Sequence, residues 1–591
     1  MRREFEIEIK ECDRAIEDLN RNHKRLGNGK LAVLAVIAAM VVLGITNGFG
    51  FTLCIGILAF FEIYLLLAVI HWKVEKLLNE NTIKRKINGD YIDRMDGNWG
   101  HFSDKGDEYI DRSHNYSFDL DIFGENSLFQ YLNTTKTHYG RQQFVKDLTD
   151  PSYDLEKIKN RQKAVWELSS NKNFTVDLQF YGSLTDIQGD GAALIGLLKG
   201  EAGESVHPLT RYLLYLPIFS TVFMLAVFFM EVSALYIPAA SLLAIHVLLG
   251  LYCFFKLSGD LNKITSAGYK IGEYARIFDL IERKTFECDE LKSIKSKIIS
   301  DDIKVSAAII ELNFVIMKID ARRNGLLFFL LNLFFLWDYS CLYSLRKWRG
   351  KYQNYVEGWF DALGQLESLL SFTNLSFVEE NACIPEITEN MAIVGEGIGH
   401  PLVNASQRVN NNVSQNNEIF IISGSNMSGK TTFLRTIGVN MVLGLAGGFC
   451  CGEKLSLPKV DIATSMRNFD NLAAGVSTFY AELERVKEII NKCKGGKAIF
   501  LIDEIFRGTN SKDRLEGAAS VLKNLEAEGA MGVITTHDLE LCNIADDMRI
   551  VNYSFNERYE NNEIIFDYKL TKGKSDTTNA KFLMNKLGII E

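Results

Sequence analysis

Nine consecutive residues, from Gly424 to Thr432, have the types and spacing that hold phosphate groups. They fit the pattern G-x-x-x-x-G-K-[ST], with an apolar run (419–422) before them and a helical pattern after them. Glycines let backbone N–H groups turn toward phosphate oxygens, and the helix N-terminus adds partial positive charge. We therefore predict that a nucleotide's phosphates are bound by Gly424, Ser425, Asn426, Met427, Ser428, Gly429, Lys430, Thr431 and Thr432.

Two side chains of this loop carry more specific chemistry. Lys430 is long enough to reach the outer phosphates and take part in catalysis. The Thr431 hydroxyl suits Mg²⁺, a hard cation that prefers oxygen ligands. A glycine turn with an unrelated lysine is the alternative, and a second motif further along the chain argues against it.

The second motif is an acid pair, Asp503 and Glu504, at the end of the apolar run 498–502. Such a run is typical of a strand buried on both faces of a parallel sheet, where two carboxylates are costly without a role. We predict that Asp503 holds Mg²⁺ through water and that Glu504 orients or deprotonates the attacking water. The alternative is an acid pair that only begins a helix. Together the two motifs predict ATP hydrolysis. A GTPase is disfavoured, because the nearby Asn-Lys candidate for guanine recognition, Asn491–Lys494, lacks the acid that would bind the base.

Composition sets the scale of the fold around these residues. The 591 residues are enough for several domains, and the net charge of −9 gives no overall field toward nucleic acid or anionic lipid. The 10 cysteines lack metal-ligand spacing, which indicates reduced thiols in the cytosol. A charged partner would therefore have to be bound through a local patch.

Four apolar segments each approach the roughly 20 residues that cross a bilayer as a helix. They form two pairs with short turns: 31–45 with 49–70, and 212–230 with 235–255. Lys and Arg flank the first pair, and both turns lack them. By the positive-inside rule we predict an integral membrane protein with four spans, lipid as a partner, and both termini in the cytoplasm. Four buried core helices are the alternative.

Two further features bear on this prediction. Glu62 lies inside the second apolar segment, where an ionisable side chain is a functional candidate; a protonated acid, or one that reaches the membrane interface, is the alternative. The shorter apolar run 325–337 leads into an aromatic-rich helix, and at about a dozen residues it is expected in a soluble core.

Several segments resemble the MutS family of DNA-repair ATPases. The phosphate loop shares an Asn-Met pair with that family, although Ser425 stands where the family usually has proline. The segments 475–482, 503–511 and 535–537 are similar, in the same order, to the family's signature loop, acidic motif and histidine switch. Upstream, the chain also resembles the start and the end of the family's helical core, so that the resemblance covers about 115–200 and 258–591.

The resemblance implies roles that spacing alone leaves open. It implies a homodimer in which each subunit completes the other's ATP site through Ser477 and Thr478, and a γ-phosphate sensor at His537. The alternatives are helix capping by the two hydroxyls and a structural histidine at a strand end. Arg507 is expected to pair with phosphate or a partner's acid, or to be solvated. The adenine contacts stay open, because the segment 407–412, which aligns with a base-stacking segment, contains no aromatic residue.

The apolar segments and the resemblance together predict the domain organisation. We expect an α-helical core with two transmembrane hairpins and a C-terminal, doubly wound α/β domain of the P-loop, ABC-type ATPase class. The expected parts are a cytoplasmic N-terminal helix (1–30), a transmembrane hairpin (31–70), a connector (71–114), a helical core (115–384) with an inserted transmembrane hairpin (212–255), and an ATPase domain (385–591).

Three functions follow as hypotheses. The resemblance implies an ATP-driven dimer that binds mismatched or branched DNA in repair. No Phe-x-Glu mismatch-reading element is evident, and this and the acidic charge favour a membrane mechanoenzyme or scaffold that acts on protein or lipid. A transporter motor is the third hypothesis, disfavoured because the four apolar segments hold almost no charge that would line a path.

Overall fold

The N-terminal part of the chain is helical, and the C-terminal part combines helices with β-sheets. The structure is a computed structural model. It describes residues 1–185, 195–196, 198–199, 208–256, 270–300, 303–321, 325–425, 427–467, 478–506, 510–547, 549–560 and 563–575.

Two long helices form the N-terminal hairpin. Helix α1 spans Arg2–Asn47 and helix α2 spans Phe51–Asp96; each has 46 residues and is about 70 Å long. Their apolar halves near the turn are exposed. Of the 18 most apolar consecutive residues, 6% are buried in α1 and 0% in α2. Their other halves pack on the rest of the chain through Phe5, Ile87 and Tyr91, so the apolar end projects away from the helical core.

Four shorter helices begin the helical core. Their first turns are stabilised by side chains that accept backbone N–H bonds, namely Ser127, Thr137, Asp154 and Asn171. The helices are α3 (Leu128–Leu132), α4 (His138–Thr149), α5 (Leu155–Ser169) and α6 (Lys172–Ser183), preceded by 3-10 turns at Trp99–His101 and Asp107–Tyr109.

The second apolar pair also forms two packed helices, α7 (Leu216–Met230) and α8 (Tyr236–Lys256). A 3-10 segment, Pro208–Tyr215, leads into α7, and a 3-10 turn, Ser233–Leu235, joins the two helices. Within the described part of the chain, four helices are long and apolar enough to cross a membrane, by length and composition; they are the two pairs that the sequence predicts.

The remaining helices complete the core around one long helix. They are α9 (Ile271–Arg283), α10 (Asp289–Ile298), α11 (Val305–Asp320), α12 (Gly325–Phe335) and α13 (Trp337–Val378), with a small antiparallel pair, β1 (Ile299–Ser300) and β2 (Ile303–Lys304), before α11. Helix α13 buries Trp348 and Trp359 completely, and the Trp348 indole donates to the Ala308 carbonyl at 2.7 Å.

The apolar run 325–337 does not form a soluble core helix, which corrects the expectation from its length. Helix α12 packs against α7 and α8, and Phe329, Phe334 and Phe335 on its other side are exposed. It meets α13 at a bend of 78°, where Leu336 has a φ of 47°. Apart from Gly325 and the buried Asn332, the helix is apolar, and its covered side packs on the second hairpin.

The C-terminal part contains strands that alternate with three helices. The strands are β3 (Ala382–Cys383), β4 (Glu386–Thr388), β5 (Ala392–Ile398), β6 (Asn411–Asn416), β7 (Ile419–Ser423), β8 (Cys450–Cys451), β9 (Lys454–Pro458), β10 (Asp461–Ser465), β11 (Ala498–Asp503), β12 (Met531–Thr536), β13 (Ile550–Glu560) and β14 (Glu563–Lys572). The helices are α14 (Lys430–Leu445), α15 (Thr478–Cys493) and α16 (Ser511–Ala527), and a 3-10 helix spans Leu541–Asp547.

A six-stranded sheet brings the sequence motifs together. Its order is β10-β11-β12-β7-β13-β14, parallel except for the last pair. Strands β7, β11 and β12 are buried at every position, as expected when helices cover both faces. Their carboxyl ends are adjacent, with Asp503 opposite Thr535 and Ser423 opposite Thr536. The phosphate loop, the acid pair and His537 therefore leave the sheet at one edge.

One face of this sheet is continuous with the helical core. A single cluster of buried apolar residues runs from Leu120 and Trp359 to Phe433 and Leu501. The other face has its own cluster, which includes Val486 and Leu522 of the covering helices. A second sheet, β4-β9-β5-β6, and the pair β3-β8 also contribute buried residues to the first cluster. The nucleotide motifs are therefore packed directly against the helical region.

Candidate nucleotide site

The phosphate loop lies between β7 and α14, as its sequence predicts. Gly424 and Gly429 have φ values of 148° and 107°, in the region that favours glycine, and Met427 has a φ of 71°. A Cβ at Gly424 would lie 2.7 Å from the carbonyl oxygen of Phe555, so a larger residue there would displace the loop. Asn426 lies outside the described residues. The remaining predicted residues of the loop therefore surround the N-terminus of α14.

Two buried side chains give the loop its polar character. The Lys430 ammonium group donates to the carbonyl oxygens of Gly424 and Ser425 at 2.8 and 2.9 Å. The hydroxyl of Ser428, a residue only 1% exposed, has no hydrogen-bond partner among the described residues. A buried hydroxyl without a partner is unfavourable, so this group fits a ligand that supplies an acceptor such as a phosphate oxygen.

The first acid of the pair faces the loop. Asp503, at the end of β11, accepts hydrogen bonds from the hydroxyls of Thr431 at 2.9 Å and Thr535 at 2.5 Å. The Thr431 hydroxyl and the Asp503 carboxylate are thus adjacent oxygen donors, the ligand type that Mg²⁺ prefers. The residues present fit the predicted metal, and both metal-binding residues predicted from sequence lie together.

The second acid contacts the predicted phosphate sensor. His537 Nε2 lies 2.5 Å from Glu504 Oε1, and both side chains are partly exposed. Glu504 has a φ of 55°, and its N–H donates to the backbone oxygen of Thr535, so β12 holds this unusual conformation. Non-glycine residues in this region are strained and cluster at functional sites. The geometry supports a joint role for Glu504 and His537.

A cavity of about 550 Å³ adjoins the loop and contains residues that the sequence motifs do not identify. Tyr568 of β14 lines it, and a Cβ on Gly429 would lie only 3.2 Å from the tyrosine ring. Asn411 holds this segment by donating to the Tyr568 carbonyl oxygen at 3.0 Å and accepting from the Leu570 N–H at 2.9 Å. Tyr568 is therefore an aromatic side chain beside the loop, a residue type that the segment 407–412 does not contain.

His400 forms another wall of the cavity. It is 8% exposed, and burial together with the positive charges of Arg435 and Arg408 lowers its pKa to about 3. Its Nδ1 accepts the Leu402 N–H at 3.3 Å, as a neutral imidazole can. The site thus presents a neutral histidine beside the cationic loop at neutral pH.

The departure from the family pattern at Ser425 has a structural counterpart. The Ser425 hydroxyl donates to the carboxylate of Glu557, a residue of β13 that is 5% exposed. A proline at position 425 would have no hydroxyl to make this bond. The pair connects the phosphate loop to β13, the neighbour of the strand β14 that contains Tyr568.

Other predicted residues receive no test from the structure. Ser477 and Arg507 lie outside the described residues, and for Thr478 only the backbone, at the start of α15, is described. Glu482, one turn into α15, accepts the N–H of Phe506 at 2.5 Å. Helix α15 therefore contacts the loop that follows the acid pair.

Comparisons with known proteins agree with the sequence resemblance. Residues 420–581 match the family described as MutS domain V, and residues 113–205 match MutS domain III. The chain is 30% identical over 238 residues to a DNA mismatch repair protein MutS of Methanococcoides burtonii, covering 38% of this chain and 27% of that protein. It is 30% identical over 232 residues to MutS protein homolog 4 of Mus musculus, covering 37% and 24%.

These matches cover about a quarter of the length of the curated relatives. The domain V match contains the phosphate loop, the acid pair, His537 and Tyr568. The domain III match contains α3 to α6. Since both matches fall where the motifs predict them, these two regions of the chain, 113–205 and 420–581, are of the MutS family.

Proposed function

We propose that the protein is a membrane-anchored, Mg²⁺-dependent ATPase. The observation that carries the proposal is the convergence of Lys430, the Thr431–Asp503 pair and the Glu504–His537 pair at one edge of the sheet. The unpartnered Ser428 hydroxyl in the same loop supports a phosphate ligand. The match to MutS domain V contains all of these residues.

Each residue has a distinct role in this proposal. Lys430 and the loop amides hold the phosphates, and Tyr568 contacts the base. Glu504 orients the attacking water and accepts its proton, while His537 holds the Glu504 carboxylate and senses the γ-phosphate. Thr431 and Asp503 would hold Mg²⁺, which supplies positive charge to the phosphate oxygens when bound.

Two substitutions test this assignment in the purified full-length protein. Lys430→Ala should abolish ATP binding, because it removes the cation at the phosphates. Glu504→Gln should keep ATP binding but lower turnover by at least about 100-fold, because an amide cannot accept the proton. The measurements are equilibrium ATP binding and phosphate release. Normal turnover in Glu504→Gln would contradict the role of Glu504.

Membrane anchoring is the second part of the proposal. The four apolar helices support it, since at most 17% of the residues in the most apolar stretch of each helix are buried. The polar ends of α1 and α2 pack on the helical core, away from the turn that joins them. This arrangement supports both termini on the cytoplasmic side, with the bilayer around the apolar halves.

The ligand of the whole molecule is proposed from its relatives and its charge. Several relatives are named as DNA mismatch repair proteins, which supports a dimer that acts on DNA. The net charge of −9 instead favours a scaffold or mechanoenzyme that acts on protein or lipid. ATPase rates with and without branched, mismatched and plain duplex DNA separate these functions. DNA stimulation with a steep salt dependence would support the first function, and no stimulation would support the second.

A further inference from the structure

A polar cleft lies beside α2, just beyond the end of its apolar segment. Its volume is about 670 Å³, and its walls include Trp72, Lys76 and Glu80 of α2 together with Lys270 and Arg276 at the start of α9. Helix α9 is the first helix described after the second apolar pair. The cleft is therefore located where the chain leaves both apolar hairpins.

The position of the cleft along α2 matches the interface of a bilayer. Trp72 follows the last apolar residue, Ile70, by two positions, and its side chain is 60% exposed. Tryptophan is enriched at membrane interfaces. Because α2 is continuous, Lys76 lies about 6 Å and Glu80 about 12 Å further along the helix. The mouth of the cleft is thus at the depth of lipid headgroups, a layer roughly 5–8 Å thick on each side of the hydrocarbon.

The charges in the cleft are unevenly paired. The Arg276 guanidinium lies 3.6 Å from Glu80 and 3.5 Å from Glu273, so these three groups balance one another in part. Within the described part of the chain, the side chains of Lys76 and Lys270 form no ion pair or hydrogen bond. The Lys76 ammonium lies 5.8 Å from the centre of the Trp72 ring. Two lysines near the mouth are therefore available to an anion.

We propose that this cleft binds the phosphodiester headgroup of an anionic membrane phospholipid. Lys76 and Lys270 donate to the phosphate, and Trp72 contacts the glycerol and upper acyl chain. A soluble phosphate would need the lysines but not an exposed tryptophan at the end of an apolar helix. The inference rests on the proposed membrane anchoring and adds a specific lipid contact between the anchor and the helical core.

The test is native mass spectrometry of the full-length protein, purified from mixed vesicles of phosphatidylglycerol and phosphatidylcholine. We expect wild type to retain phosphatidylglycerol selectively. Lys76→Ala and Lys270→Ala should each weaken retention about fivefold, and the double variant about 25-fold. Lys76→Arg, which keeps the charge, should retain the lipid.

The matched control is the double variant Lys24→Ala and Arg25→Ala. It removes the same charge from exposed positions of α1 near the same interface and leaves the cleft intact. Unchanged phosphatidylglycerol retention in the cleft variant, or equal losses in cleft and control variants, would overturn the proposal. Displacement of the lipid by millimolar glycerol phosphate would overturn the lipid source in favour of a free phosphate.

Carbonate extraction of membranes separates this inference from the anchoring proposal. If the protein stays in the membrane but the cleft variants show no lipid effect, the cleft assignment is wrong and the anchor stands. If carbonate releases wild-type protein, the anchoring proposal is wrong and the lipid assignment falls with it.

Discussion

At the scale of single residues, the site is built from side chains that share one edge of a sheet but come from distant parts of the chain. Asp503 of β11 is hydrogen-bonded to Thr431 of α14, and Glu504, just after β11, contacts His537, just after β12. The phosphate loop and the acid pair are predictable because each is a contiguous motif whose spacing carries the chemistry. Tyr568 is not predictable in this way, because only the antiparallel return of β14 brings it to the loop.

Tyr568 gives the first residue-scale prediction. Replacing it with alanine should raise the Kd for ATP about tenfold, because the stacking surface for the base is lost. Tyr568→Phe keeps the ring and should bind ATP nearly as wild type does. Isothermal titration with a slowly hydrolysed ATP analogue measures both variants. Equal affinity of the alanine variant and wild type would remove Tyr568 from the base contacts.

His400 gives a prediction about pH. Its folded-state pKa is about 3, against about 6.5 in an unfolded chain, so between these values only the unfolded chain takes up the proton. The free energy of unfolding should therefore fall with pH below 6.5, by about 1.4 kcal/mol between pH 7.5 and 5.5 from this residue.

His400→Gln removes the titrating group and should lose correspondingly less stability over the same interval. Thermal unfolding in detergent at both pH values checks the difference. An identical pH dependence in the variant and wild type would show that His400 takes up its proton equally in both states.

At the scale of elements, the segment before α3 joins the helical core to the C-terminal α/β part. Asp119, which is 2% exposed, accepts from the Thr464 hydroxyl and from the N–H groups of Met466 and Arg467. Asp121 binds both Arg435 of α14 and Arg467. The phosphate-loop helix is therefore connected to the core through short polar contacts.

This junction predicts a large effect of one substitution. Asp119→Ala leaves three donors without their acceptor in a buried place and should lower the free energy of unfolding by about 3 kcal/mol. Glu125→Ala is a suitable control, because that side chain is 70% exposed and its pairing with Lys105 is worth about 0–1 kcal/mol. Chemical denaturation in detergent measures both. If Asp119→Ala lowered the free energy of unfolding as little as the control does, the stabilising role of Asp119 would be contradicted.

The elements themselves are only partly predictable from the sequence. The buried strands β7 and β11 and the four apolar helices follow from continuous apolar runs. Helix α12 is placed wrongly by its length, because length does not report the neighbour against which a helix packs. The bend at Leu336 also has no signal in the form of glycine or proline.

At the scale of the whole molecule, two apolar hairpins adjoin a helical core that is packed against the C-terminal α/β part. This arrangement predicts the topology of the anchor. An epitope inserted between Gly48 and Phe49 should be cleaved by protease added outside sealed cells, whereas an epitope before Arg2 should be protected until the membrane is opened. Protection of both epitopes, or cleavage of both, would contradict a hairpin with cytoplasmic ends.

The length of α2 has a mechanical consequence. The helix is unbroken from Phe51 to Asp96, and near its end Arg94 donates to the backbone oxygens of Tyr131 and Asn133 inside the core. A rod with no hinge transmits tilt from one end to the other. If a bilayer holds the apolar half of α2 (51–70) upright, any reorientation of the core during nucleotide turnover would have to bend the helix or deform the lipid around it. Membrane stiffness would then oppose the proposed nucleotide-driven movement.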